Sequence, residues 1–184
     1  MIKKYKLAMF DMDGTLYDTR MAHYLSYKKV LKNEGVELSF EYFRDKCFGG
    51  HYSSFLAPVT DNVERVHDEK LVCYDEFIGD ITENTRLFEL ISKLKNDHYI
   101  ALVTTASAES VYKVLRYFDR EHCFDVIVTQ EQVKKKKPDP EAYLYTMEHF
   151  GIGAENCIIF EDSETGLAAA HASGAKVIKV DDFN

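Results

Sequence analysis

The sequence predicts an α/β protein built on a parallel sheet, with a helical insertion after the first strand. Three observations carry this. From residue 80 onward, stretches with helical apolar spacing alternate with short continuous apolar runs, the pattern of repeated βαβ units. Asp11, Thr104, Lys137 and Glu161-Asp162 each stand where an apolar run ends or a loop begins, as a site at the carboxyl edge of a parallel sheet requires. Residues 19–77 instead show helical spacing with little strand signal.

The elements follow in order. Leu7–Phe10 is the first strand, bracketed by Lys6 and Asp11. In the insertion, Tyr24, Tyr27 and Leu31, then Phe40, Phe43 and Cys47, then Phe55 mark helices; Gly49-Gly50 breaks the run and Pro58 bounds a helix. Thr85–Lys95 places Leu87, Phe88, Leu90, Ile91 and Leu94 on one helical stripe and leads to the strand Tyr99–Val103. Ser107 caps a helix through Val111, Val114, Leu115 and Phe118, followed by the strand Asp125–Val128. Asp139 is an N-cap with Pro140 at the first helical position, opening a helix that runs to Phe150 and stops at Gly151. Cys157–Phe160 is too continuously apolar for an exposed edge strand. Ser163 then starts a small-residue helix through Ala168, Ala169, Ala170 and Ala172, Gly174 closes it, and Ala175–Val180 is the last strand.

With 184 residues and 46% hydrophobic composition, the chain can bury a core as one domain or as a domain with an insertion. A net charge of −8 argues against nucleic-acid and membrane-surface partners, which select basic faces. Cys47, Cys73, Cys123 and Cys157 are scattered with no C-x-x-C pair, the usage of reduced, buried thiols in a cytoplasmic protein. No N-terminal apolar stretch reaches signal-peptide or membrane-span length. The expectation is a cytoplasmic monomer or weak dimer.

The chemistry is written in Asp11-Met12-Asp13-Gly14-Thr15-Leu16. Two carboxylates one residue apart at a strand end share a face of the pleat, which suits a nucleophile beside an acid/base. A D-x-D step alone also describes a strand stopping at a turn, so its later partners matter. Asp11 as nucleophile would divide a phosphoryl hydrolysis into two easier steps through an aspartyl-phosphate. Asp13 would protonate the leaving oxygen and then activate water. Gly14 lets the chain turn without blocking substrate, and Thr15 offers a hydroxyl or an N–H.

Neighbouring carboxylates repel, and a phosphomonoester adds about two more negative charges, so cations are needed. Mg2+ favours oxygen ligands, which Asp11, Asp13 through its backbone carbonyl, and Asp162 supply, with Glu161 ligating or holding a metal-bound water. Lys137 is the fixed countercharge, because Pro138-Asp139-Pro140 stiffens the backbone after it; Lys134, Lys135 and Lys136 read as a solvated run. Thr104 and Thr105 offer donors to phosphoryl oxygens.

Together, Asp11–Leu16, Thr104-Thr105, Lys137-Pro138-Asp139-Pro140 and Glu161-Asp162-Ser163-Glu164-Thr165-Gly166 have the order and rough spacing of the four motifs of the haloacid dehalogenase-like superfamily. The resemblance spans residues 5–180 apart from the insertion. It implies a Rossmann-like sheet in the order 5-4-1-2-3, a catalytic core of residues 1–18 and 78–184, and a helical cap of residues 19–77. It also implies Asp11 as nucleophile, Asp13 as acid/base, Thr104 and Lys137 as phosphate binders, and Asp162 with Glu161 as the metal pair. Dehalogenases of the family lack an aspartate at the position of Asp13, so the resemblance points to a Mg2+-dependent phosphatase of a small phosphorylated metabolite. The cap carries no evident Schiff-base lysine motif of the kind phosphonate hydrolysis uses.

Substrate choice then falls to the cap, where His23, Arg44, Lys46, His51 and Tyr52 are candidates; His51 and Tyr52 lead because they follow Gly49-Gly50. The chain resembles the phosphoglycolate phosphatase and β-phosphoglucomutase subfamilies, and His23 stands ten residues past Asp13, as a histidine does in the mutases. Those mutases hold a second phosphate with an arginine where this chain has Tyr52, so hydrolysis ranks above a sugar-phosphate mutase. A non-catalytic binding or regulatory module of the same fold is the third reading.

Overall fold

In the computed structural model, which describes residues 6–47 and 52–181, the strands in chain order are β1 (Lys6–Phe10), β2 (Tyr17–Asp18), β3 (Thr82–Glu83), β4 (His98–Val103), β5 (Val126–Val128), β6 (Cys157–Glu161) and β7 (Lys176–Lys179). Five of them form one parallel sheet in the order β5-β4-β1-β6-β7. Numbering only these five along the chain, the order is 3-2-1-4-5, which is 5-4-1-2-3 read from the other edge. The strands β2 and β3 pair separately from the main sheet.

The helices are α1 (Arg20–Asn33), α2 (Phe40–Lys46), α3 (Tyr52–Leu56), α4 (Val63–Cys73), α5 (Thr85–Leu94), α6 (Ala108–Tyr117), α7 (Glu141–Phe150) and α8 (Glu164–Ala172). Their ends follow local chemistry. The Ser107 hydroxyl accepts from Ser110 N and the Ser163 hydroxyl from Gly166 N, each satisfying an orphan N–H of the first turn. Asp139 Oδ1 accepts from Glu141 N at 3.0 Å, and Gly151 closes α7 with a φ of 64°, in the left-handed region that glycine tolerates. The Lys137–Pro138 peptide bond is cis.

Successive residues of a strand face opposite sides, and here both sides are covered. Leu7 and Met9 of β1, Ala101 and Val103 of β4, and Cys157 and Ile159 of β6 pack with Ala142, Tyr143 and Met147 of α7 and with Ala169 and Ala170 of α8. The alternate residues Ala8, Phe10, Ile100 and Leu102 are equally buried, which is why these strands read as unbroken apolar runs. In register, Phe10 lies opposite Leu102 on one side and Phe160 on the other, with the Phe10 and Phe160 rings stacked at 4.5 Å. The three central strands therefore end level with one another, so the residues just past them share one edge.

The chain separates into two compact units, Met1–Asp18 with Glu83–Asn184, and Thr19–Thr82. The second unit holds α1 to α4 and the 3-10 turn Tyr74–Asp80, which runs past residue 77. Its core is aromatic: Tyr24, Tyr27, Phe43 and Phe55 are buried with Leu31, Leu56 and Val66, and the Tyr27 and Phe55 rings meet edge-to-face at 4.9 Å. Phe40, the first residue of α2, is 38% exposed rather than core. Lys70 is buried on α4, with its Nζ 2.8 Å from His23 Nδ1 and above the Tyr74 ring. Among the described residues, no helix is long and apolar enough to cross a membrane.

Candidate active site

The shared strand edge assembles the site. Asp11 follows β1, its N–H donating to Phe160 O at 3.0 Å, and its side chain is buried. The chain then turns: Met12 O accepts from both Leu16 N and Tyr17 N at 3.0 Å, and Gly14 takes a φ of 88°. The strand therefore ends at Phe10, and the pleat does not relate Asp11 to Asp13 as the sequence pattern suggested. The turn sets the direction of Asp13, which is partly buried.

Lys137 connects three strand ends. Its ammonium donates to Asp11 Oδ1 at 2.6 Å, to Glu161 Oε1 at 2.8 Å and to Val103 O at 3.1 Å, which accounts for all three of its donors. Glu161, the last residue of β6, is fully buried; its Oε2 accepts from Ser163 N at 2.8 Å and from Ser163 Oγ at 3.1 Å. Thr15 Oγ1 donates to Asp162 Oδ1 at 2.8 Å, and a Cβ on Gly14 would fall inside the Asp162 carboxylate. Asp162 can approach the first loop because residue 14 carries no side chain.

Burial pushes the Asp11 carboxyl upward, with the Lys137 ammonium opposing. Burial by itself would lower Lys137, but Asp11, Tyr143 and Glu161 more than compensate and keep it charged. Asp162 is raised to about 6, by burial first, with the Thr15 hydrogen bond pulling down and Glu161 pushing up.

Asp11, Glu161 and Asp162 bring carboxylate oxygens within 4.8 Å of one another. An all-oxygen, all-carboxylate donor set fits a hard divalent cation and not a thiolate- or imidazole-seeking one. The Asp13 side chain is not one of these three.

Thr104, one residue past β4, is buried; its N–H donates to Val128 O at 3.0 Å and its Oγ1 accepts from Ala106 N at 3.1 Å. Thr105 is exposed in the following bend. The remaining candidates belong to the other unit. His23 meets Lys70, Arg44 pairs with Asp45 at 2.7 Å, and Lys46 is exposed. The Tyr52 ring stacks on His67 at 3.6 Å and its hydroxyl donates to Glu64 at 2.7 Å. His51 lies outside the described residues.

Two residues not singled out from the sequence support the cluster. Asn84, buried at the start of α5, donates from Nδ2 to Thr15 O at 3.2 Å and from its backbone to Leu16 O at 2.9 Å, which anchors the first loop. Tyr143 of α7 is fully buried, with its hydroxyl 3.5 Å from Glu161 Oε1. An asparagine before a helix carries a visible capping signal, and Asn84 does accept from Leu87 N; a tyrosine on an apolar stripe carries none.

The parallel sheet and its carboxylate–lysine edge define a Rossmann-like hydrolase. The chain belongs to the haloacid dehalogenase-like hydrolase family, whose model matches residues 8–180. It is 32% identical to a phosphorylated carbohydrates phosphatase of Thermotoga maritima, over 92% of this chain and 82% of that one. It is 24% identical to the fructose-1-phosphate phosphatase of Escherichia coli strain K12, over 98% of each. In structure it is similar to a Thermotoga maritima protein carrying a provisional beta-phosphoglucomutase name, with a TM-score of 0.79, 31% identity, and 97% and 87% of the two chains covered.

Proposed function

We propose that this enzyme is a divalent-metal-dependent phosphatase that hydrolyses a small phosphomonoester, of the sugar-phosphate type, through an aspartyl-phosphate on Asp11. The observation that carries this reading is the buried contact of Lys137 with Asp11 at 2.6 Å beside the Glu161-Asp162 pair. A carboxylate held against a fixed cation at a strand end is oriented for attack, and the same cation offsets the charge of an arriving phosphoryl group. The names of the two curated phosphatases support the substrate class.

In this mechanism an Asp11 carboxylate oxygen attacks phosphorus as the ester oxygen leaves, and Asp13 gives that oxygen its proton. Asp13 then takes a proton from water, whose oxygen attacks phosphorus and frees Asp11 with release of phosphate. Thr104, Thr105 and Lys137 bind the phosphoryl oxygens. Asp11, Asp162 and the Asp13 carbonyl would hold Mg2+, with Glu161 in support; when bound, the ion neutralises phosphoryl charge. Four buried free thiols support a reducing compartment such as the cytoplasm.

A mutase reading has one specific support, the structural likeness to the provisionally named phosphoglucomutase. Hydrolysis ranks above it because Tyr52, standing where the mutases place an arginine, is engaged with His67 and Glu64 and offers no cation for a second phosphate. The experiment is turnover of p-nitrophenyl phosphate and a panel of sugar phosphates with Mg2+, by wild type and Asp11→Asn. Phosphate release by the wild type alone is expected; undiminished release by Asp11→Asn overturns the nucleophile. Acceleration by a bisphosphorylated sugar without net phosphate release would select the mutase.

A further inference from the structure

We propose that Tyr143 is a positioning residue for Lys137, its ring face holding the ammonium in place for phosphoryl oxygens; this rests on the phosphatase reading above. Lys137 Nζ stands 4.9 Å from the centroid of the Tyr143 ring, inside the ~6 Å range of an effective cation–π contact. Both side chains are buried, so water does not screen the attraction.

The need for such a support follows from the donor count. In this structure all three ammonium N–H groups are engaged, by Asp11, Glu161 and Val103 O. A phosphoryl oxygen bound by Lys137 must draw on one of these donors, and the ammonium then needs a contact that does not compete for them. An aromatic face supplies that contact, because it attracts the cation through the ring quadrupole without accepting a hydrogen bond in the plane of the site. Position 143 lies in the apolar cluster with Val103, Ile159 and Ala170, an environment that by itself calls for an apolar side chain and not specifically for an aromatic one. The ring is what distinguishes this choice. The hydroxyl lies 3.5 Å from Glu161 Oε1, near the limit for a hydrogen bond, and also interacts with the Lys137 ammonium, so Tyr143→Phe is the variant that separates its contribution from that of the ring.

The test holds shape nearly constant while draining charge from the ring. Full-length protein with Mg2+ is prepared as wild type, Tyr143→Phe, and with 4-fluoro- and 3,4,5-trifluorophenylalanine at position 143. Orthophosphate binding is read by calorimetry, KM and kcat with p-nitrophenyl phosphate, and folding by Tm. Tyr143→Phe should stay within about threefold of wild type, and the trifluoro protein should bind phosphate about tenfold more weakly, with KM rising in parallel at similar Tm. Phosphate affinity that is flat across the fluorinated series overturns the proposal. Should the fluorinated proteins fold poorly, Tyr143→Leu replaces them, and a phosphate affinity equal to that of Tyr143→Phe overturns it. Wild-type protein that binds phosphate but turns over no monoester would count against the phosphatase reading alone.

Discussion

The Glu161 carboxylate fills the space that a side chain on Gly166 would occupy: a Cβ built there falls inside the carboxylate group. Glu161 ends β6 and Gly166 lies in the first turn of α8, so the absence of one side chain lets the other fold back beneath the helix. There it meets Ser163 and Lys137. A glycine that looks like a helix defect in the sequence is the condition for the buried ion pair.

Gly166→Ala should therefore act on the site from a distance. The methyl group has to displace the buried carboxylate, and breaking a buried pair by disturbing one partner costs about 3–5 kcal/mol. Helix propensity alone predicts the opposite, a gain of about 1 kcal/mol. Urea denaturation decides between them: the expected result is a stability loss of about 3 kcal/mol with activity lost alongside, and a stabilised, active variant would contradict the packing argument.

Lys137→Met removes the cation that donates to both Asp11 and Glu161. Two buried carboxylates then share one cavity, and one is driven to take a proton, so its folded pKa rises above the unfolded values of about 4. A raised folded pKa gives stability that is present at low pH and lost as pH rises through it. The variant should therefore trail the metal-free wild type by about 3–5 kcal/mol at pH 7.5 and by clearly less at pH 4.5. Urea titrations in EDTA at both values check this, and a gap independent of pH would show that the carboxylates do not face each other uncompensated.

What was legible in the sequence was whatever short-range chemistry dictates. Ser107 and Ser163 cap their helices and Gly151 ends α7 because each uses hydrogen bonds or dihedrals within a few residues; at the start of α7 the N-cap is Pro140 rather than Asp139, whose carboxylate accepts from Glu141 N one position further out. The strand order followed from motif order through the family resemblance. The direction of Asp13 was not legible, because the pleat rule applies only while the strand lasts, and Met12 is already in a turn. Nor were the ladder of β2 with β3, whose two-residue strands have no period to read, or the burial of Lys70, which long-range packing with His23 and Tyr74 creates.

As a proposed metal ligand, Asp162 should set a pH limit on metal binding. Its carboxyl is pushed up to about 6, chiefly by burial, and a carboxylate ligand must be deprotonated to bind. In the metal-free protein this raised pKa means a stability contribution present at acid pH and lost as pH rises through about 6, where the buried charge forms. A divalent ion compensates that charge, so its affinity should be level above pH 7 and fall by up to about tenfold per unit below 6. Mg2+ titration calorimetry in two buffers of different ionisation enthalpy should register proton release at pH 5.5 and little at pH 8. Equal proton release at both would assign the raised carboxyl to another residue.

Tyr17 offers a stability prediction away from the reaction. Its ring is fully buried, between Phe88 at 5.6 Å and Phe118 at 5.1 Å, and among the described residues its hydroxyl is the buried side-chain oxygen with no hydrogen-bond partner. A buried hydroxyl without a partner loses its bonds to water and gains none in return, a cost of about 1–3 kcal/mol. Tyr17→Phe keeps both ring contacts and deletes the unsatisfied oxygen, so the variant should be as stable as wild type or more so by about 1 kcal/mol, against the usual cost of a core substitution. The hydroxyl is held neutral, since burial and Glu83 both push its pKa up, so the gain should not change between pH 6 and 8. Thermal and urea unfolding of the two proteins settle the matter: a loss of more than about 1 kcal/mol would show that the Tyr17 hydroxyl is hydrogen-bonded in solution, to an ordered water or to Glu83.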